Sequence, residues 1–171
     1  MVQLLSIVLL ILNAVWFILP AYIANLSPAV FYKFFGKYAF PTDSGKNFFD
    51  KRRIFGDGKT WNGLAVGVLA GSLVGYAQGS AFAGLALGSG ALFGDLVKSF
   101  FKRRLGFERG RAWFPFDQID FILGAFLFYW IFLGSFETLL QFFIVLLLLT
   151  PVLHLLTNWI GFKLKLKKEP W

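Results

Sequence analysis

Residues 94–120 hold the side chains whose types and spacing suit chemistry. Gly94-Asp95-Leu96 is followed by Ser99 and Lys102-Arg103-Arg104, then by Arg109, Arg111 and Asp117-Gln118-Ile119-Asp120. Asp117 and Asp120 stand at i and i+3, so on a helix both carboxylates face the same way. Carboxylate oxygens are the ligands that a hard divalent cation such as Mg²⁺ takes. The five cations and the serine upstream supply donors for phosphate oxygens. Hard-metal ligands beside a nest of Lys and Arg make up what a polyphosphate site requires.

A second candidate lies upstream, in Arg52-Arg53-Ile54-Phe55-Gly56-Asp57-Gly58-Lys59-Thr60-Trp61-Asn62-Gly63. Gly58-Lys59-Thr60 is like the end of a P-loop, but that motif needs glycine where Arg53 stands, and no parallel-sheet domain is available. What survives is physical: glycine-flanked amides, a lysine and a hydroxyl at a helix start can hold an anion. A glycine-rich turn with interfacial cations explains the same residues, and both readings stay open.

Each remaining residue has a plainer explanation. Asp95 falls at the end of an apolar stretch, where an unpaired charge is expensive; it is either functional, paired with Lys98 or Ser99, or simply exposed at the helix end. Lys102-Arg103-Arg104 taken alone is a juxtamembrane run for anionic headgroups. Asp117 could be a helix N-cap and Asp120 a favourable first-turn charge. His154, the one histidine, sits in an apolar run and reads as a packed or hydrogen-bonded core residue, not a ligand.

The elements that must position these groups are membrane helices. Hydrophobic residues make up 57% of the 171 and charged residues only 15%, which is not the balance of a soluble domain. No charge occurs in 1–32, 60–94, 121–136 or 138–162. A spanning helix needs about 20 apolar residues. Residues 60–94 are too long for one helix and break at Gln78-Gly79-Ser80. The expected fold is all-α: one polytopic integral membrane domain over 1–171 with five spans. These run near Val2–Leu26, 60–77, 80–100, Asp117–Leu133 and Thr138–Ile160, with a turn at Gly134-Ser135-Phe136-Glu137. The first is expected to be a retained helix and not a signal peptide. The absence of cysteine excludes disulfide and thiol chemistry.

Basic residues test the count. Seven follow span one (Lys33 to Lys59), six lie between spans three and four (Lys98 to Arg111), and four follow span five (Lys163, Lys165, Lys167, Lys168), which accounts for all seventeen. The alternate connections have none. The positive-inside rule then puts the N-terminus outside, and the basic connections and C-terminus in the cytoplasm. Trp61, Trp113, Trp130 and Trp159 fall near the expected interfaces. Gly63, Gly67, Gly71, Gly75 and Gly79 recur every four residues, and Ala86, Gly90 and Gly94 repeat the interval, which predicts close helix packing.

The order Lys59-Thr60-Trp61-Asn62-Gly63, then Gly94-Asp95-Leu96 with Ser99 and Lys102-Arg103, then Asp117 and Asp120, resembles the CTP-dependent lipid cytidylyltransferases. Phosphatidate cytidylyltransferases of that group carry His-Gly-Gly before the last acidic pair, then Asp-Arg-x-Asp. This chain has Trp113-Phe114-Pro115-Phe116 and Asp117-Gln118-Ile119-Asp120 instead. That departure, the short chain, the 53–61 stretch and Pro41, Asp43 and Gly45 are similar to the archaeal branch, the CDP-archaeol synthases.

The resemblance implies an enzyme that joins CTP to 2,3-bis-O-geranylgeranylglycerol 1-phosphate, giving CDP-archaeol and pyrophosphate. It implies Mg²⁺ on Asp117 and Asp120, with Asp95. Lys59, Asp95, Lys102 and Arg103 would be catalytic, the cations stabilising transferring and leaving phosphates. Asp57, Gly58, Thr60, Trp61, Asn62 and Ser99 would bind substrate. The implied partners are CTP, the lipid phosphate and membrane lipids, with no nucleic acid, at the cytoplasmic face of the cell membrane. The alternatives are a phosphatidate cytidylyltransferase and a small transporter. The transporter would place charges near the midplane of its spans, whereas here they collect at one interface.

Overall fold

The structure, a computed structural model, describes residues 2–108, 110–134, 136–163 and 165; the side chains of Val2, Phe136, Glu137 and Thr138 are outside that description. Arg109, Lys167 and Lys168 of the cation count, Ser135 of the expected turn and the Glu137 side chain therefore lie outside the described residues.

Among the described residues five α-helices follow one another: α1 (Val2–Phe35), α2 (Trp61–Ala77), α3 (Ala81–Arg104), α4 (Phe116–Leu133) and α5 (Phe136–Lys163). Among the described residues there is no strand, only two isolated bridges, Pro41 with Thr60 and Asn47 with Arg53. Four helices are long and apolar enough to cross a membrane. At 17 residues α2 is shorter, rising about 26 Å against a hydrocarbon core of about 30 Å. The outward faces suit lipid: Leu4, Ile7, Leu73 and Leu148 are all more than half exposed.

Local chemistry sets the ends. The Thr60 hydroxyl accepts from Gly63 N at 3.1 Å and starts α2, and Ser80 does the same for Ala83 N at 3.2 Å. Gly134 closes α4 with φ 77°, a left-handed cap that glycine adopts freely.

The end of α1 differs from expectation. The helix does not stop near Leu26 but runs through Pro20 and Pro28 to Phe35. Each proline lacks an N–H and strands the carbonyl four residues earlier. Trp16, freed by Pro20, accepts from Gln78 Nε2 at 2.6 Å. The Ala24 carbonyl, freed by Pro28, faces Gly67 of α2, where a Cβ would come within 2.7 Å of it. The end of α2 thus compensates the carbonyl freed by Pro20 and α2 packs closely over the one freed by Pro28, and the helix continues through both.

The small-residue spacing packs helices closely as expected except at Gly79, which lies beyond α2 in the turn and meets nothing within 4 Å. Gly75 of α2 and Gly84 of α3 meet backbone to backbone, and a Cβ on Gly84 would fall 2.6 Å from the Gly71 carbonyl oxygen. Gly90 and Gly94 of α3 bring it equally close to α4, at Gly124 and at the carbonyl of Asp120. On the far side α1, α4 and α5 share an aromatic core in which Phe17 packs on Phe126, Tyr129 and Phe142.

Residues 36–60 form a compact loop over the end of α3. Its centre is the buried Asp43 carboxylate, which accepts from Arg53 Nη2 at 2.6 Å and from the amides of Gly45, Phe55 and Gly56 at 2.9–3.1 Å. Burial works against that charge, but the guanidinium and the amides outweigh it and hold the carboxyl well below the usual carboxylate range. A reciprocal arginine clamp fastens the loop to α3. Arg52 Nη1 donates to the Arg104 carbonyl at 2.6 Å, and Arg104 Nη2 donates to the Arg53 carbonyl at 2.5 Å. The Arg104 guanidinium also lies over the Phe48 and Phe100 rings.

Candidate active site

The glycine contacts between α3 and α4 set Asp95, one residue beyond Gly94, beside Asp117 and Asp120 at the start of α4. Lys59, at the end of the 36–60 loop, reaches across and pairs with Asp95 Oδ2. Lys102 Nζ lies 3.0 Å from both oxygens of Asp117 and also donates to the Arg111 carbonyl. Asp117 Oδ2 accepts from Trp113 N at 2.6 Å.

Lys98 is the centre of this cluster. Its Nζ stands 3.1 Å from Asp95 Oδ1, 3.2 Å from Asp117 Oδ1 and 2.9 Å from Asp120 Oδ2. All three contacts are ion pairs, and the Asp120 carboxylate is the most deeply buried of the three. Spacing alone leaves Lys98 as a salt-bridge partner for Asp95. Its position at i+3 from Asp95 and i−4 from Lys102 was the available signal that all three share one helix face.

The capping alternative for Asp117 does not describe this geometry. Pro115 holds the cap position, and Asp117 lies inside the first turn with its carboxylate turned to Lys98 and Lys102. Asp120 is almost fully buried, not a solvated first-turn charge.

Three cavities adjoin the cluster: an apolar one of about 340 Å³, lined by Lys98 and Asp120 with Phe93, Val97, Phe116 and Leu127, and two with charged walls. The larger, about 680 Å³, is lined by Arg52, Arg53, Asp57, Gly58, Ser99 and Arg103 together with Lys59, Lys98 and Lys102. The smaller, about 420 Å³, shares those three lysines and Gly58 and reaches Thr60, Asp95, Asp117, Gln118, His154 and Asn158. Nine expected site residues thus line one or both of these two adjoining cavities: Asp57, Gly58, Lys59, Thr60, Asp95, Ser99, Lys102, Arg103 and Asp117. Asp120 meets them through Lys98 and lines the apolar cavity. Trp61 and Asn62 line neither cavity. Trp61 is mostly exposed at the start of α2, and Asn62 Oδ1 accepts from Phe40 N at 3.3 Å.

The smaller cavity also shows groups that sequence reasoning missed. Gln118 is buried, and its Oε1 has no hydrogen-bond partner. His154 Nδ1 lies 3.0 Å from Asn158 Nδ2, so the histidine is hydrogen-bonded, as one of its two readings had it, but at the wall of a cavity with a partner that the sequence did not single out.

The donor set suits a hard cation. Three carboxylates point at one atom 2.9–3.2 Å away, the position of an ammonium. Mg²⁺ takes oxygen ligands at about 2.0–2.1 Å, so the trio has the right chemistry and convergence but must draw inward. Among the described residues, no three acidic or histidine side chains stand close enough to hold an ion as placed.

Comparisons with known proteins agree with this geometry. The family model described as CarS-like, CDP-archaeol synthase, matches residues 7–171. A CDP-archaeol synthase of Methanopyrus kandleri is 48% identical over 166 residues, covering 93% of this chain and 92% of that protein. One from Pyrobaculum aerophilum is 44% identical over 158 residues, covering 89% and 93%. A solved structure, described as an intramembrane enzyme for archaeal membrane lipids biosynthesis, is similar with a TM-score of 0.72 and 39% identity, over 86% of this chain and 94% of that one. The match extends over nearly the whole length on both sides, and the chain belongs to the CDP-archaeol synthase family.

Proposed function

We propose that the cluster of Asp95, Asp117 and Asp120 with Lys59, Lys98 and Lys102 transfers CMP from CTP to the phosphate of 2,3-bis-O-geranylgeranylglycerol 1-phosphate. The products are CDP-archaeol and pyrophosphate. Family membership makes the chain a membrane cytidylyltransferase that forms CDP-archaeol. The proposal adds where and how. The observation that carries it is the convergence of three carboxylates and three lysines at the shared wall of two cavities.

In the reaction an oxygen of the lipid phosphate attacks the α-phosphorus of CTP in line. The bond between the α-phosphorus and the oxygen bridging to the β-phosphorus breaks, and pyrophosphate leaves with that electron pair. The nucleophile is already anionic, so no side chain has to remove a proton. The chain's task is positioning and charge neutralisation. The larger cavity, with Arg53, Arg103 and the lysines on its wall, is of a size to take the triphosphate. The smaller one, with neutral polar groups below the lysines, receives the lipid headgroup. Lys59 and Lys102 face both and neutralise the attacking and leaving oxygens. Asp95, Asp117 and Asp120 would hold Mg²⁺, which when bound supplies Lewis-acid stabilisation of phosphate oxygens.

The cluster lies at the helix ends that carry the cations, so the site faces the cytoplasm in a five-span arrangement with the N-terminus outside. In that arrangement α2 crosses as a short span supported by α1 and α3.

Turnover by purified protein in detergent, with CTP, UTP, ATP and GTP at equal concentration and a panel of lipid phosphates, tests the reading. It expects Mg²⁺-dependent pyrophosphate release with CTP and the ether-linked phosphate. A preference for a purine nucleotide, or for an ester-linked phosphate, would overturn it.

A further inference from the structure

Lys98 has a geometry unlike that of the other cations. Lys59 and Lys102 each pair with one carboxylate, whereas Lys98 Nζ sits among Asp95, Asp117 and Asp120 at 2.9–3.2 Å. These are the same three groups read above as metal ligands. An ammonium at that point and a divalent ion coordinated by all three cannot coexist, because both need the same oxygens. Lys98 also lines both cavities, so its four-carbon arm has space beside the cluster to enter.

We propose that Lys98 is a built-in counter-ion: it fills the metal position of the substrate-free enzyme, and the divalent ion displaces it when it arrives with its nucleotide. The inference rests on the reading of the trio as a metal site. Charge explains the order of events. Three lysines balance three aspartates, so the empty cluster is neutral and offers a bare divalent ion little net attraction. Mg²⁺ gives up its water reluctantly, which weakens that attraction further. A triphosphate changes the balance. It brings negative charge into the larger cavity, where the released ammonium finds new partners beside Lys59 and Lys102. Metal and nucleotide then favour one another, and by linkage the coupling is reciprocal. Lysine suits the task, since a compact ammonium on a flexible stem can leave a site that a planar guanidinium would hold as a fork.

The test titrates Mg²⁺ alone, by calorimetry, into full-length protein in detergent, for wild type, Lys98→Met and Lys98→Arg. A second set contains α,β-methylene CTP. Lys98→Met should bind Mg²⁺ without nucleotide at least about tenfold more tightly than wild type, within the usual range of such couplings. It should also gain less from the nucleotide analogue. Chelation should lower the thermal midpoint of Lys98→Met, which loses its only central cation, and leave wild type unmoved. Equal metal affinity in Lys98→Met and wild type would overturn the proposal while the metal site stands. Absence of Mg²⁺ binding in every protein, with or without the analogue, would overturn the metal site itself and the proposal with it. Lys98→Arg keeps the charge and should bind the metal alone no better than wild type. It decides the matter if Lys98→Met does not fold, because tighter binding by the arginine variant overturns the proposal.

Discussion

Gly94 of α3 lies against the main-chain carbonyl of Asp120 of α4, with no room for a Cβ between them. Two carboxylates of the cluster, Asp95 and Asp120, are thereby set side by side by a backbone contact between their helices. Gly94→Ala should force the helices apart and cost about 1–3 kcal/mol, as overpacking does. Turnover should fall further, about 100-fold, because small misplacements at a reacting centre are amplified. Thermal unfolding and turnover measured together check this. Gly36→Ala, where a Cβ would make ordinary contact with Tyr32, should change neither.

Asp117→Asn and Asp120→Asn keep shape and remove charge. Each should lower turnover by at least about 100-fold at saturating Mg²⁺. A structural role at the helix start would predict nearly normal activity, since Asn and Asp cap about equally. The yield and melting temperature of each variant separate misfolding from lost chemistry.

Acid should loosen the 36–60 loop. The carboxyl of Asp43 is held well below its unfolded value of about 3.9. Its contribution to stability is therefore fully present above pH ~4 and is lost as pH falls toward the lower folded value. Thermal midpoints measured between pH 7 and pH 3 should decline in wild type below pH ~4. Asp43→Asn, already unable to ionise, should start lower and decline less.

Orientation is open to labelling, because the chain has no cysteine. Cysteines at Lys46 and Glu108 should resist a membrane-impermeant reagent in intact cells, and one at Ala77 should react. All three positions are exposed. The reverse pattern would invert the topology and move the cluster to the outer face.

Much of this was legible in the sequence, and the misses have physical causes. The charge-free stretches located all five helices, because apolar length is a strong local signal. The glycine interval located their crossings. The end of α1 was misplaced because a proline's effect depends on what packs against the carbonyl it frees, and Gln78 and Gly67 are far from Pro20 and Pro28 in sequence. Asp95, Asp117 and Asp120 were legible as a set. Lys98 as their centre was not, because a salt bridge between near neighbours on a helix looks the same in sequence whether it holds one carboxylate or three. Gln118 and the His154–Asn158 pair were missed because neutral side chains in apolar runs give no compositional signal.

The arginine clamp also bears on the order of assembly. Arg52 caps carbonyls that belong to Arg103 and Arg104, at the far end of α3. A growing chain makes Arg52 well before those carbonyls exist. The loop that carries Lys59 is tied to the start of α2 through Phe40, Trp61 and Asn62, but its second anchorage waits until the third helix has been synthesised and docked. A chain arrested after α2 would hold a loop fastened on one side only, and the cluster would come together only as α4 follows α3 into place.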